Sequence, residues 1–173
     1  MTNEETIITT FNGTKYYKPN EAQEAKGIDY TAVFTEIIPI GETFETWTTM
    51  ITLHQLQPLP NGSKISAEAY SNNILTMNNQ KGAQILETSV LSNPEWEQFG
   101  IDISNPPFLL AYVHSMPQTN QAELTIAKIN NVTDEKVEGI FFGKKLPASE
   151  VNTFIQSEDY KNIRIELAKK ETF

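Results

Sequence analysis

Polar and apolar residues alternate with a period of two in several separate segments of the chain. The clearest segment is Trp47–Leu56 (WTTMITLHQL). Successive side chains of a β-strand point to opposite faces of a sheet, so this alternation is typical of strands. The chain must therefore build a β-sheet, and Trp47–Leu56 is predicted to be a central strand of that sheet.

Five further segments have the composition of strands, with β-branched and aromatic residues bounded by turn residues. They are Tyr30–Ile38, Gln84–Leu91, Phe108–Met116, Gln121–Val132 and Glu138–Leu146. The turn residues of Pro117–Asn120 separate two of these segments and predict a hairpin. Thr6–Thr10 is a shorter candidate strand.

Helical spacing of apolar residues appears in two regions. Ser63–Asn79 has an amphipathic pattern, and Gly82 is placed to end the helix. A short helical turn is expected where Pro94 occupies a first helical position. Ala148–Lys170 predicts a C-terminal helix, in one or two pieces. Within it, Ile163–Leu167 also alternates with period two and fits an edge strand, but we expect helix.

The order of these elements predicts the fold class. Two helices separated in sequence can cover the two faces of one sheet. We therefore expect an α+β protein, an α/β/α sandwich with a mostly antiparallel central sheet, a mid-chain helix and a C-terminal helix. The length of 173 residues fits a single domain, 1–173. Residues 1–27 are expected to be a loosely ordered N-terminal region, with a loop over Pro19–Gly27.

Charge and composition exclude several classes of function. The chain has 22 acidic and 13 basic residues, so its formal net charge is −9. This charge repels phosphate backbones and anionic lipids, and we expect no nucleic acid partner. No segment approaches the roughly 20 apolar residues of a transmembrane helix, so we expect no membrane insertion. The absence of cysteine excludes disulfides and Cys-ligated metals.

The first residues, from Met1 to Glu5, have neither the basic nor the apolar region of a signal peptide. The sequence as it stands therefore predicts a cytoplasmic protein. A periplasmic or secreted location is the alternative, if a signal peptide has been removed.

The segment Ile37–Thr43 (IIPIGET), followed by Trp47–Thr52 (WTTMIT), resembles an uncharacterised bacterial family with a P-x-G-E-T / W-T-x-M-I-T motif. The later order of helix, strands with an F-L-L-x-Y core at Phe108–Tyr112 and closing helix is similar to the sandwich of the photosystem II extrinsic protein PsbP and its relatives. This resemblance implies a fold used mainly for docking and assembly. It carries over no functional residue, because a shared fold is not a shared function.

The two histidines, His54 and His114, both fall on predicted strands, and they would approach one another if those strands were neighbours. Histidine is the usual acid–base group near neutral pH, so the pair is a candidate catalytic site. The chain has no HExxH or comparable ligand spacing. We therefore predict no metal and no cofactor, and structural histidines are the simpler interpretation.

Acidic residues beside tryptophan form a second kind of candidate. Glu42 and Glu45 precede Trp47, and two more acids flank Trp96. Paired carboxylates next to an aromatic platform are typical of carbohydrate sites. The simpler interpretation is that the acids next to Trp96 belong to the first turn of a helix and the others to a solvated turn.

The absence of known catalytic motifs favours a non-catalytic module that binds or assembles with a protein partner. The alternative is a small hydrolase or isomerase whose site forms around His54 and His114 together with a nearby carboxylate.

Overall fold

The computed structural model of the protein describes residues 6–60, 62, 64–88 and 93–171. Over these residues the chain forms nine strands and four helices. The strands are β1 (Ile7–Phe11), β2 (Thr14–Tyr17), β3 (Gln23–Lys26), β4 (Tyr30–Pro39), β5 (Thr49–Pro58), β6 (Gln84–Glu87), β7 (Phe108–Met116), β8 (Gln121–Asn131) and β9 (Val137–Pro147). The helices are α1 (Ala67–Gln80), α2 (Asn93–Gln98), α3 (Val151–Ile155) and α4 (Glu158–Lys169), with one 3-10 turn at Ala148–Glu150.

All nine strands belong to one sheet, in the order β1-β2-β4-β5-β9-β8-β7-β6, with β3 paired to β4. Every pair of neighbouring strands is antiparallel. The predicted hairpin of β7 and β8 is present, and β5 lies in the middle of the sheet between β4 and β9. The α+β fold with an antiparallel central sheet is confirmed.

The helices lie on opposite faces of the sheet. In β7, Ala111 and Val113 belong to the core cluster that contains Leu167 of α4, whereas Leu110 and Tyr112 belong to the cluster that contains Ile74 of α1. Because side chains alternate between faces along a strand, α1 and α4 cover opposite sides. The arrangement is the α/β/α sandwich expected from the order of the elements.

Local sequence determines where α1 begins and ends. The side chain of Ser66 accepts a hydrogen bond from the backbone N–H of Ala69 at 3.1 Å, as an N-cap residue does. The helix thus begins at Ala67, four residues later than predicted from Ser63. Gly82 has a φ of 86°, the left-handed conformation that commonly ends a helix.

The C-terminal helix is divided into α3 and α4 at Ser157. The Ser157 hydroxyl donates to the carbonyl of Phe154 at 2.6 Å and accepts from the N–H of Tyr160 at 3.2 Å. In α4, Ile163 and Leu167 are both buried in the core. Residues four apart lie on the same face of a helix, so a helix buries both side chains on one side. The alternative of an edge strand at Ile163–Leu167 is therefore wrong.

The N-terminal region is more structured than the sequence predicts. Phe11 of β1 and Tyr16 of β2 are buried in the core, and the Phe11 ring lies 5.3 Å from that of Phe142. The prediction of a loop over Pro19–Gly27 is wrong at Gln23–Lys26, which pairs with β4. All four residues of β3 are exposed, so backbone pairing forms this strand and no hydrophobic pattern marks it.

No helix in the described part of the chain is long and apolar enough to cross a bilayer.

Candidate functional site

Helix α1 packs mainly on β6, β7 and β8, and beside it on the same sheet face Met50, Thr52 and His54 of β5 are only half-buried. A cavity of about 200 Å³ lies along this boundary. We call it the α1 cleft. It is lined by Ile74 of α1 and, on the sheet, by Met50, Thr52, His54, Tyr112, Glu123, Thr125, Phe141 and Gly143.

His54 lies at one end of the cleft among aromatic rings. Its ring stacks on Phe141 with centroids 4.0 Å apart and meets the Phe34 ring edge-on at 4.7 Å. Its Nδ1 shares a hydrogen bond of 2.6 Å with the hydroxyl of Tyr70 in α1. Burial lowers the pKa of His54 to about 4, so the imidazole is neutral at physiological pH.

The second ring nitrogen of His54, Nε2, has no hydrogen-bond partner among the described residues. It is also not one of the buried atoms without a partner, so solvent reaches it. A neutral imidazole with Nδ1 engaged presents Nε2 as one directional polar contact for a bound group.

Glu123 of β8 supplies a carboxylate to the cleft. A Cβ atom at Gly143 of β9 would lie 3.4 Å from the Oε1 atom of Glu123, so the carboxylate lies next to this glycine on the sheet face. Burial raises the pKa of Glu123, and the nearby His114 and Lys145 oppose this rise. Within the described ranges, the carboxylate has neither a hydrogen-bond nor an ion-pair partner.

His114 is the cross-strand neighbour of Glu123, but its ring is held elsewhere. Its Nε2 lies 2.7 Å from Oδ1 of Asn78 near the end of α1, and it does not line the cavity. His54 and His114 share a sheet face, but their strands are separated by β9 and β8. Their partners Tyr70 and Asn78 are eight residues apart on α1, about 12 Å along its axis. The two histidines therefore do not form a pair.

The acidic residues near Trp47 have local roles. The Glu42 carboxylate accepts hydrogen bonds from the backbone N–H and the hydroxyl of Thr48, at 2.9 and 2.6 Å, and fixes the loop before β5. Trp47 lies in this loop, so the prediction that it belongs to the central strand is wrong. The Lys145 ammonium lies 3.9 Å from its ring centroid. Glu45 is exposed. The Glu42 carboxylate and one face of the Trp47 ring are therefore already engaged by other residues of the chain.

Trp96 of α2 is completely buried, with Leu109 and Ala168 in the same small cluster. It offers no ring face to a ligand, so the interpretation as a carbohydrate platform is wrong for this residue. The flanking Glu95 and Glu97 are exposed on α2, in agreement with their simpler interpretation as helix acids.

Sequence reasoning found His54 but missed the other polar groups of the cleft, Glu123 and Thr125. The available signal was a pair of polar residues, two apart, inside the long buried strand β8. No group of three His, Asp or Glu side chains in the described ranges is placed to hold a metal ion.

Comparison of the chain with models of protein families, with curated proteins and with solved structures finds no match. The resemblance to a bacterial family and to the PsbP sandwich therefore stays a prediction.

Proposed function

We propose that the chain is a non-catalytic binding module and that it takes a protein partner at the α1 cleft. The observation that carries this proposal is the incomplete cover of one sheet face. Helix α1 covers the β6–β8 side, while Met50, Thr52 and His54 of β5 on the floor beside it are only half-buried. The cleft is small, and it combines apolar side chains with a few convergent polar groups, as sites of recognition commonly do.

The composition of the floor suits a segment of another protein. Met50 is half-buried and provides apolar contact area beside the largely buried Phe141 and Ile74, and Met adapts readily to partners of different shape. Glu123 and Nε2 of His54 provide polar contacts at separate points along the cleft. Because neither group makes a hydrogen bond to another described residue, contact with a bound segment would add hydrogen bonds without breaking any among those residues.

One observation supports the alternative function, a small hydrolase or isomerase. His54 and Glu123 line the same cavity, and an imidazole with a carboxylate can act as general base and acid. The pKa of about 4 makes His54 a weak base at neutral pH, which weighs toward binding. The enzyme proposal is tested by a substrate screen in which turnover disappears in both H54Q and E123Q.

The binding proposal is tested by capture of partners from a lysate of the native organism with three forms of the protein. The first is the wild type, the second is T52R on the cleft floor, and the third is Q55R. Gln55 lies on the same strand as Thr52 but is exposed on the other sheet face, so Q55R is a matched control. We expect one stoichiometric partner with the wild type and Q55R, and its loss with T52R. Capture that T52R leaves unchanged would contradict the proposal.

A further inference from the structure

A second cavity lies on the opposite side of the sheet, near the end of α4. It measures about 560 Å³, within the range of small-molecule sites. Its walls come from the loop between α2 and β7, from β8 and from the last turn of α4. The lining includes the apolar residues Phe99, Ile101, Pro107 and Ala168 and the polar residues Lys128 and Asn130.

Lys128 is the unusual residue of this cavity. It lies in the middle of β8, opposite Leu109 of β7 and Ile140 of β9, and it is only 7% exposed. Lysine is almost never buried to this degree unless its charge is paired. Its side chain lies on the α4 face of the sheet, where the neighbouring strand positions are apolar.

The contacts of the Lys128 ammonium are incomplete. Its Nζ donates a hydrogen bond to the backbone carbonyl of Lys170, just beyond the end of α4. An ammonium group has three N–H donors. Among the described residues, no carboxylate lies within 4 Å of Nζ. Burial lowers the pKa of the amine, and the more distant carboxylates of Glu171 and Glu138 oppose this change. Burial of a cation without an ion-pair partner is costly, and an anion in the cavity would offset that cost.

A second polar group stands next to the amine. Asn130 follows Lys128 by two residues on β8, so both side chains lie on the same face. The Asn130 amide has no hydrogen-bond partner in the described part of the chain and is not among the buried unpartnered atoms. An amide N–H beside an ammonium can bind the two oxygens of one carboxylate.

The charges around the cavity favour a singly charged ligand. Asp102 and Glu171 line it together with Lys128 and Lys169, so the lining has no net positive charge to hold a dianion. The Asp102 carboxylate is engaged by the N–H and hydroxyl of Ser104, at 2.9 and 2.7 Å. The half-buried side chains of Phe99 and Ile101 suit a ligand with an apolar body.

We propose that this cavity binds a small organic monocarboxylate, with its carboxylate on Lys128 and Asn130 and its apolar body against Phe99, Ile101 and Pro107. The site is separate from the α1 cleft and independent of any protein partner there.

The test is calorimetric titration of the full chain with octanoate, with octanamide as the neutral ligand and inorganic phosphate as the anion without an apolar body. We expect octanoate to bind and K128M to weaken binding about tenfold or more, since hydrogen bonds to charged groups are lost. The matched control K136M removes an exposed lysine of the β8–β9 turn and should bind octanoate like the wild type. Equal binding of octanamide and octanoate, binding of phosphate in place of octanoate, or no binding of octanoate would overturn the proposal.

A second measurement needs no variant and covers the case in which K128M fails to fold. NMR titration of the Lys128 amine in the wild type should show its midpoint moving to higher pH with octanoate, because a bound carboxylate stabilises the charged form. Octanamide should leave the midpoint unchanged. An amine whose titration is the same with and without octanoate contradicts the proposal.

Discussion

His54 and Tyr70 share a hydrogen bond of 2.6 Å between the imidazole Nδ1 and the phenolic oxygen, which ties the central strand β5 to the first turn of α1. Both residues lie in apolar surroundings, and burial lowers the pKa of His54 and raises that of Tyr70. The bond therefore joins two neutral groups at neutral pH, and it positions the imidazole at the end of the α1 cleft.

The first prediction concerns pH. The folded protein protonates His54 only near pH 4, whereas an unfolded histidine binds its proton near pH 6.5. Between these values the unfolded state holds more protons, so the free energy of unfolding falls as the pH is lowered from about 6.5 to about 4. The loss from this residue is at most roughly 3 kcal/mol. Denaturant titrations across this pH range should show a smaller slope for H54Q than for the wild type. An identical slope in H54Q and the wild type would show that His54 does not cause the loss of stability at low pH.

The second prediction concerns the partner of His54. Replacing Tyr70 with Phe removes the hydroxyl and leaves the imidazole Nδ1 without its hydrogen bond. We expect the free energy of unfolding to fall by about 1–3 kcal/mol, the cost of leaving a buried polar group unpaired. The control is Y30F, because the Tyr30 hydroxyl has no hydrogen-bond partner among the described residues. Equal losses in both variants would indicate that the hydroxyl of Tyr70 contributes nothing specific.

The third prediction concerns the glycine beside His54. Gly139 is the cross-strand neighbour of His54, and a Cβ atom there would lie 2.7 Å from Cε2 of the Phe141 ring that stacks on the imidazole. G139A should displace this ring and lower the free energy of unfolding by about 1–3 kcal/mol. The NMR signals of the His54 ring should shift as well.

The control for this variant is G143A, on the same strand and face. Its Cβ would lie 3.4 Å from Oε1 at the end of the flexible Glu123 side chain and 3.8 Å from the backbone carbonyl oxygen of Met50. G143A should therefore leave the stability within about 0.5 kcal/mol of the wild type. A loss as large as that of G139A would mean that the sheet, and not the Phe141 ring, limits substitution.

The fourth prediction concerns Arg164, the only arginine of the chain. Its guanidinium donates from Nε and Nη2 to the two carboxylate oxygens of Glu87, the Nε bond measuring 2.9 Å, and joins α4 to the edge strand β6. Lysine cannot reproduce this fork. R164K should lower the free energy of unfolding by about 1–3 kcal/mol in thermal or denaturant unfolding.

A surface pair gives the comparison for Arg164. Lys18 lies 3.6 Å from Glu21, whose side chain is almost fully exposed. K18M should change the stability little, because such pairs are worth about 0–1 kcal/mol. If R164K lowers the free energy of unfolding no more than K18M does, the Arg164–Glu87 pair does not stabilise the fold as proposed.

Local sequence pattern predicted most of the elements. The strands β4, β5, β7, β8 and β9 and the helix α1 appear where periodicity placed them, with boundaries moved by a few residues. The strand β3 was not predicted, because all its residues are exposed and only backbone pairing with β4 defines it. The prediction for Gln84–Leu91 is met over Gln84–Glu87, while residues 89–91 lie outside the described ones.

The cleft was harder to predict, because it depends on which strands are neighbours. His54 and Glu123 are 69 positions apart and line one cavity only because β9 inserts between β5 and β8. Strand order is a property of long-range pairing, which the pattern within a single strand does not contain. The sequence also did not show which tryptophan is buried. Trp47 and Trp96 have similar acidic neighbours, but Trp47 lies in a loop and Trp96 lies in the core.

Site-specific photo-crosslinking in cells of the native organism tests whether a protein partner binds at the α1 cleft. A benzophenone amino acid is placed at position 52 on the cleft floor, or at position 55 on the opposite face of the same strand. We expect irradiation to join position 52 to one protein partner and to give no such adduct from position 55. Adducts from position 55 alone, or equal adducts from both positions, would contradict the α1 cleft as the binding surface.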